Sequence, residues 1–196
     1  WGPGALAGTI ELESVGGNAV RPFDGAIAYG SRNSVDAQGA LGLTRDKGFA
    51  TLSAAYGRGD GFIPIVERNR GPVDRAAPYE QASVALRAVV EIAADTEAQV
   101  TANAFTDSRE RGTDFSRNTS EGVDGALRLV GRGRWGWQAL AYVQTRNFTS
   151  DFAAVNATRT SVTQSLAQYD TPATGWGGRL EIAPPVGDGV SLRLGA

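Results

Sequence analysis

The segment from Phe49 to Gly57 restricts the fold of this chain more than any other, because it alternates between two kinds of residue. Its even positions are apolar or aromatic: Ala50, Leu52, Ala54 and Tyr56. The odd positions include small and polar residues: Thr51, Ser53 and Gly57. A period of two predicts a β-strand whose two faces meet different surroundings.

The same alternation recurs along the sequence. It predicts further strands near residues 5–13, 23–31, 35–44, 82–91, 99–104, 123–129, 135–146 and 176–182, and another from Val190. Long polar loops are predicted at 58–79, 107–120 and 149–174, and short connections at 32–33, 44–48, 94–97, 131–134 and 184–189. Because short and long connections alternate from the third strand onward, we predict an all-β, antiparallel, up-and-down sheet with its long loops on one rim.

Composition excludes several classes of protein. The 196 residues include no Cys, no His and no Met, and Lys47 is the single lysine. Without Cys there is no disulfide framework, and without His the Ser-His-Asp type of catalysis lacks a member. The net charge of −2 gives nucleic acid no basic surface. We therefore expect no catalytic residue, no metal site, no cofactor and no nucleic-acid partner.

The two faces of the predicted strands favour a barrel in a membrane. One face carries Val, Leu, Ile and Ala, and the other carries Gln, Thr, Asn, Asp, Arg and Glu, which suits lipid outside and a hydrated lumen inside. Aromatic residues near the predicted strand ends fit an interfacial girdle: Tyr29, Tyr56, Trp135, Trp137 and Trp176. A soluble antiparallel sheet with one solvated face alternates in the same way and remains an open alternative.

Three short motifs stand in order within the first part of the chain. They are Gly4-Ala5-Leu6-Ala7-Gly8-Thr9-Ile10-Glu11-Leu12, then Ala28-Tyr29-Gly30-Ser31, then Asp60-Gly61-Phe62. This order resembles the TonB-dependent outer-membrane receptors. In that family a Gly-rich strand ending in Gly-x-Ile-x-Leu closes the plug domain, Tyr-Gly-Ser ends the first barrel strand, and Asp-Gly-aromatic opens an external loop.

The resemblance implies a transmembrane β-barrel of about 22 strands filled by an N-terminal plug. Residues 1–16 would be the C-terminal end of the plug, and residues 17–196 the N-terminal portion of the barrel with about nine of its strands. The implied function is import of a scarce nutrient, such as a ferric siderophore, across the outer membrane of a Gram-negative bacterium. This transport involves no covalent chemistry, so we do not expect an enzyme.

The motifs cover only part of what the family contains. The box that contacts the TonB complex and most of the plug are missing, so we expect contact with TonB through an N-terminal part that this sequence lacks. Residues 190–194 are still strand-like, which favours an internal piece of a longer protein. Open sheet edges would make such a piece aggregate or require detergent, and a monodisperse monomer without detergent would count against this expectation.

Arginines are the candidate site residues. Arg68, Arg70, Arg109 and Arg111 lie in predicted external loops, where they would bind carboxylate or catecholate oxygens of an anionic ferric chelate, or remain solvated or bridge to lipopolysaccharide. A second set lies on the predicted lumen face: Arg87, Arg128, Arg146 and Arg179. We expect this second set to pair with plug carboxylates rather than line a permeation path, because a plugged lumen must satisfy its charges internally.

Two other classes of function stay open. A passive porin or adhesin barrel would lack a plug strand ahead of the first barrel strand. A soluble β-rich carbohydrate-binding or hydrolytic domain would not partition into membranes, nor show the heat-modifiable gel mobility of a barrel.

Overall fold

The computed structural model describes residues 16–187 and 190–196, and most of that part is β-strand. The strands are β1 (Phe23–Gly30), β2 (Ser34–Arg45), β3 (Gly48–Gly59), β4 (Tyr79–Ala93), β5 (Thr96–Glu110), β6 (Arg117–Gly131), β7 (Gly136–Val155), β8 (Val162–Ala183) and β9 (Leu194–Gly195). Two single-turn 3-10 helices occupy Gly17–Ala19 and Glu67–Asn69. The strand predicted at 5–13 and the expected plug end up to residue 15 lie outside the described residues.

Each strand pairs antiparallel with its neighbour in sequence, so the strand order runs from β1 to β9 in one sheet. The predicted all-β, up-and-down topology is confirmed. Within the described part, β1 and β9 do not pair with each other, so the sheet is open. No helix among the described residues is long and apolar enough to cross a membrane.

The connection between β1 and β2 shows how the local sequence sets the topology. Arg32 and Asn33 both adopt positive φ, 58° and 52°, and the Ser34 amide donates to the Ser31 carbonyl at 3.3 Å. Two such residues form a type I′ turn, whose twist matches that of the strands it joins. The predicted tight turn is therefore confirmed, and it fixes the register of the first hairpin.

The register places the predicted apolar sides of all the strands on the same face of the sheet. One row of directly paired residues is Phe23, Leu41, Leu52, Leu86, Ala102, Gly125, Val143 and Trp176. The next row, on the opposite face, is Asp24, Ala40, Ser53, Ala85, Asn103, Asp124, Gln144 and Gly175. We name these two sides the apolar face and the polar face.

In the part of the chain that the structure describes, no second layer covers either face. Among residues 16–187 and 190–196, Val89 is the single apolar side chain that is buried. Large side chains of the apolar face stay exposed, with Ile27 at 79% and Trp176 at 83% of full accessibility. A sheet normally buries its apolar face against another layer, and an exposed apolar surface of this kind marks a contact with a protein or a membrane.

Two of the three long loops predicted from the sequence are wrong. Strand β5 continues to Glu110 and β6 begins at Arg117, while β7 continues to Val155 and β8 begins at Val162. Only residues 111–116 and 156–161 connect these pairs, whereas the predicted loop at 58–79 is confirmed over residues 60–78. Both faces of the extended segments carry polar residues, so the alternation stops while the backbone hydrogen-bond ladder continues.

The connections define two ends of the sheet. Residues 31–33, 60–78, 111–116 and 156–161 lie at what we name the loop end. The short connections at 46–47, 94–95 and 132–135 lie at the opposite, turn end. The ninth strand begins later than predicted, since pairing with β8 starts at Leu194 rather than at Val190.

Candidate functional site

The exposed residues of the apolar face form a continuous band. We define this apolar band by its limits on successive strands: Phe23 to Tyr29, Val35 to Leu43, Ala50 to Tyr56, Ala82 to Ile92, Ala98 to Ala104, Val123 to Leu129, Trp137 to Val143 and Trp176 to Ile182. Beyond its loop-end limit the same face becomes polar. There the partners of Val35 on later strands are Arg58, Glu80, Ser108, Thr119 and Thr149.

The apolar band crosses the strands obliquely. Its loop-end limit lies in the row of Tyr29 and Val35 on β1 and β2, but in the row of Leu41 when it reaches Trp176 on β8. The limit therefore shifts by six residues, about 20 Å along the strands, across seven strand spacings, about 34 Å. The band is inclined by about 30° to the direction perpendicular to the strands. Strands of outer-membrane barrels tilt by roughly 35–45°, so a flat hydrocarbon layer would cross them at a similar angle.

The predicted interface aromatics follow the limits of this band. Tyr29 and Tyr56 lie at its loop-end limit, where their hydroxyls donate to Asn33 Oδ1 and Glu80 Oε1, each at 3.0 Å. Trp137 lies at the turn end of β7, and Trp135 lies just before that strand with 56% of its surface exposed. Trp176 marks the loop-end limit on β8.

The predicted position of Trp176 near a strand end is wrong, because β8 begins at Val162. The strand continues past the apolar band, so the limit of the band and the end of the strand fall at different residues. Trp176 marks the limit of the band.

The four arginines predicted to face the lumen all lie on the polar face, and the sheet itself supplies contacts for them. Arg146 forms an ion pair with Asp124 at 2.7 Å and lies over the Phe105 ring. Arg179 pairs with Glu181. Arg128 donates from Nε to the Gln138 side chain at 3.1 Å, and Arg87 lies 4.9 Å from the centre of the Phe49 ring.

At the loop end, residues 60–78 contact all three other connections. The Asp60 amide donates to the Arg32 carbonyl at 2.9 Å. Arg75 pairs with Asp114 at 2.8 Å and its amide donates to the Gly112 carbonyl at 2.9 Å. At the base of this loop Gly61 has φ +68°, and a Cβ there would lie 1.9 Å from the Ala77 carbonyl oxygen, so glycine is required.

The third contact of this loop is an ion pair between Asp74 and Arg159. The Asp74 side chain is 1% exposed and also accepts the Gly71 amide at 2.8 Å. The hydrogen bonds from Arg159, followed by the Gly71 amide, lower the pKa of Asp74 to about 2 against the opposing effect of burial. The loop is therefore fastened to the β7–β8 connection by a charged contact that persists well below neutral pH.

The candidate arginines of the external loops are mostly occupied by neighbouring groups. Arg109 lies in β5, not in a loop as predicted, and binds Asp107 through both carboxylate oxygens at 2.7 and 2.8 Å. Arg111 donates to the Asp151 carbonyl at 2.6 Å, and Arg70 to the Ile65 carbonyl at 2.7 Å. Arg68 is exposed in the short helix Glu67–Asn69. Within the described part of the chain, no hydrogen bond joins any of these four to another.

A depression that the sequence did not reveal lies on the polar face near the loop end. Its volume is about 550 Å³, and its polar-face lining includes Asp36, Gln38, Gln81, Ser83, Phe105 and Asp107. These residues lie on β2, β4 and β5, far apart in sequence, so only the register brings them together. Gly57 lies at the centre, where a Cβ would be 3.1 Å from both Asp36 Oδ1 and Gln81 Nε2.

Comparison with known proteins found no relative: no family model, curated protein or solved structure matches this chain. What defines the class of the protein is its geometry. It is a single open antiparallel sheet with an exposed, oblique apolar band on one face, a polar face with internal ion pairs, and interlocked loops at one end.

Proposed function

We infer that the chain is part of an outer-membrane β-barrel whose apolar band contacts lipid and whose polar face borders the interior. The oblique apolar band is the observation that carries this proposal. On β2 the band spans Val35 to Leu43, about 26 Å along the strand. With the strand inclined by about 30°, the height of the band across the membrane is about 23 Å. Outer-membrane barrels present an apolar band about 25 Å tall.

The polar face supports the same proposal. A lumen isolated from bulk water favours charges that are paired, and Arg146–Asp124 and Arg179–Glu181 are such pairs. The extension of β7 and β8 past the apolar band also fits, because strands of such barrels continue into water at the outer rim. In a soluble sheet the apolar face would need a covering layer.

Within this class, the sequence motifs support a TonB-dependent receptor that imports a scarce nutrient, such as a ferric siderophore, into a Gram-negative bacterium. Asp60-Gly61-Phe62 opens the long loop 60–78, and Tyr29-Gly30-Ser31 ends β1, the places these motifs have in that family. The motif at residues 4–12 lies outside the described residues. The TonB complex would be the partner that supplies energy.

A passive porin or adhesin barrel would present the same band. Dependence on TonB distinguishes the two: uptake of the cargo by cells that express the complete gene product should stop when the TonB complex is inactivated. Uptake that continues unchanged would favour the passive barrel.

Site-directed labelling tests the membrane assignment: these 196 residues contain no Cys, so an introduced Cys is the single one among them. Leu86→Cys on the apolar face and Ala85→Cys on the polar face are adjacent on β4 and form a matched pair. With nitroxide labels in native membranes, position 86 should be accessible to oxygen and position 85 to a water-soluble nickel chelate. Chelate access at position 86, or no partition of the protein into membranes, would contradict the assignment.

A further inference from the structure

The depression on the polar face has a lining that is rich in hydrogen-bonding groups and poor in free cations. The Asp36 carboxylate has no hydrogen bond or ion pair among the residues that the structure describes. The charge of Asp107 is balanced by Arg109, which also donates to Gln81 Oε1 at 3.3 Å. The charge that remains in the depression is the Asp36 carboxylate, and the other polar groups of the lining include the neutral amides of Gln38 and Gln81.

This lining disfavours an anionic ligand. Arg109, which is hydrogen-bonded to the lining, is held by Asp107, and an anion in the depression would meet the Asp36 carboxylate, which has no ion pair among the described residues. Like charges close together repel, most strongly where water is partly excluded. The opposite applies to a hydroxyl-bearing ligand, whose O–H groups donate to a carboxylate and both donate to and accept from an amide.

We propose that this depression binds a neutral, hydroxyl-rich solute of the carbohydrate class. Asp36 accepts hydrogen bonds from hydroxyls, Gln38 and Gln81 both donate and accept, and Phe105 supplies an apolar surface for the C–H groups of a sugar ring. The volume of about 550 Å³ lies within the ~300–1,000 Å³ of ordinary small-molecule sites. The proposal rests on the proposed function, because it takes the polar face to be the barrel interior that a solute enters from the loop end.

Gly57 and the side-chain amide of Gln81 shape the depression. Gly57 is buried, and its lack of a side chain leaves the space in which Asp36 and Gln81 approach each other across β3. Arg109 holds Gln81 from the loop-end side, so the amide is oriented before a ligand arrives. Gly57→Ala should narrow the site without removing any polar group.

The test is equilibrium binding to the complete gene product in detergent, by calorimetry, with maltose, cellobiose, lactose and ferric citrate as probes. We expect at least one disaccharide to bind, ferric citrate to bind more weakly, and Asp36→Asn and Gln81→Ala each to weaken disaccharide binding roughly tenfold or more. Glu80→Gln is the matched control, since it makes the same acid-to-amide change on the other face and should leave binding unchanged.

Binding of none of the disaccharides would overturn the proposal. So would ferric citrate binding that Asp36→Asn strengthens, or disaccharide binding that neither Asp36→Asn nor Gly57→Ala alters. Heat-modifiable mobility of each variant separates loss of folding from loss of binding. If labels at Leu86 also avoid lipid, the proposed function fails; if they contact lipid and no disaccharide binds, only the ligand class fails.

Discussion

Asp74 and Arg159 are 85 positions apart in sequence, yet the Arg159 guanidinium donates to both oxygens of the Asp74 carboxylate. The two residues belong to the loop 60–78 and to the β7–β8 connection. The Val73 amide donates to the Arg159 carbonyl at 3.3 Å beside them, and Arg159 has a positive φ of 54°. This contact, together with Arg75–Asp114, makes the loops at the loop end one connected unit.

The pH dependence of this contact follows from the pKa of Asp74. Its pKa in the folded protein, about 2, is below the ordinary value of 3.8, so the ion pair contributes stability above pH 3.8 and loses it as pH falls through about 2. Hydrogen exchange of loop 60–78 should therefore stay slow from neutral pH to about pH 4 and accelerate, relative to intrinsic rates, toward pH 2. Acceleration already between pH 7 and pH 5 would contradict this expectation.

Removing the charge of Asp74 should free the loop without unfolding the sheet. Asp74→Asn leaves Arg159 without a carboxylate, so trypsin should cleave after Arg68 or Arg70 several times faster than in the unaltered protein. Asp46→Asn, in the exposed β2–β3 turn, is the control and should leave the cleavage rate unchanged. Equal cleavage rates in the Asp74 variant and in the control would show that other contacts hold the loop.

Under the membrane assignment proposed above, a charge on the apolar band should destabilise the folded protein. Leu86→Lys lies near the middle of the band on β4 and should cost about 2–4 kcal/mol of unfolding free energy, because lipid cannot solvate the ammonium group. Ala85→Lys, one residue away on the polar face, should cost about 1 kcal/mol or less. Denaturant titration of the membrane-reconstituted protein measures both. A larger loss for Ala85→Lys would reverse the assignment of the faces.

The Arg146–Asp124 pair should behave as a coupled unit. Asp124→Ala leaves the half-buried Arg146 without its carboxylate and should cost about 1–3 kcal/mol. The double variant Asp124→Ala with Arg146→Ala should cost less than the two single changes added together, because the second change removes the unpaired charge. A double-mutant cycle with the same titration measures the coupling, and strict additivity would mean that the ion pair contributes nothing.

The faces of the strands could be predicted from the sequence because period-two alternation fixes which side of the backbone each residue occupies, whatever its partner. The alternation places Leu52 and Leu86 on the apolar sides of their own strands, and the register pairs them directly across β3 and β4. The tight turn at Arg32-Asn33 could also be predicted from the sequence. Both signals are local.

Features that depend on register or on distant partners could not be predicted. The outer parts of β7 and β8 carry polar residues on both faces, so nothing in their sequence distinguishes a projecting hairpin from a loop. The Asp74–Arg159 pair joins segments whose proximity follows from the full strand order. Asp36 on β2 and Asp107 on β5 line one depression around Gly57 only because the register aligns the four strands from β2 to β5.

Because the apolar band is inclined, residues paired in one row across the sheet do not all lie inside the band. Val84 on β4 and Thr145 on β7 belong to the same row, yet the first lies within the apolar band and the second beyond it. Position along a strand is thus a poor guide to the chemistry that a side chain meets. In the proposed membrane setting, a thinner or thicker bilayer would be matched by a change of strand inclination, which moves one side of the sheet up and the other down without breaking a backbone bond.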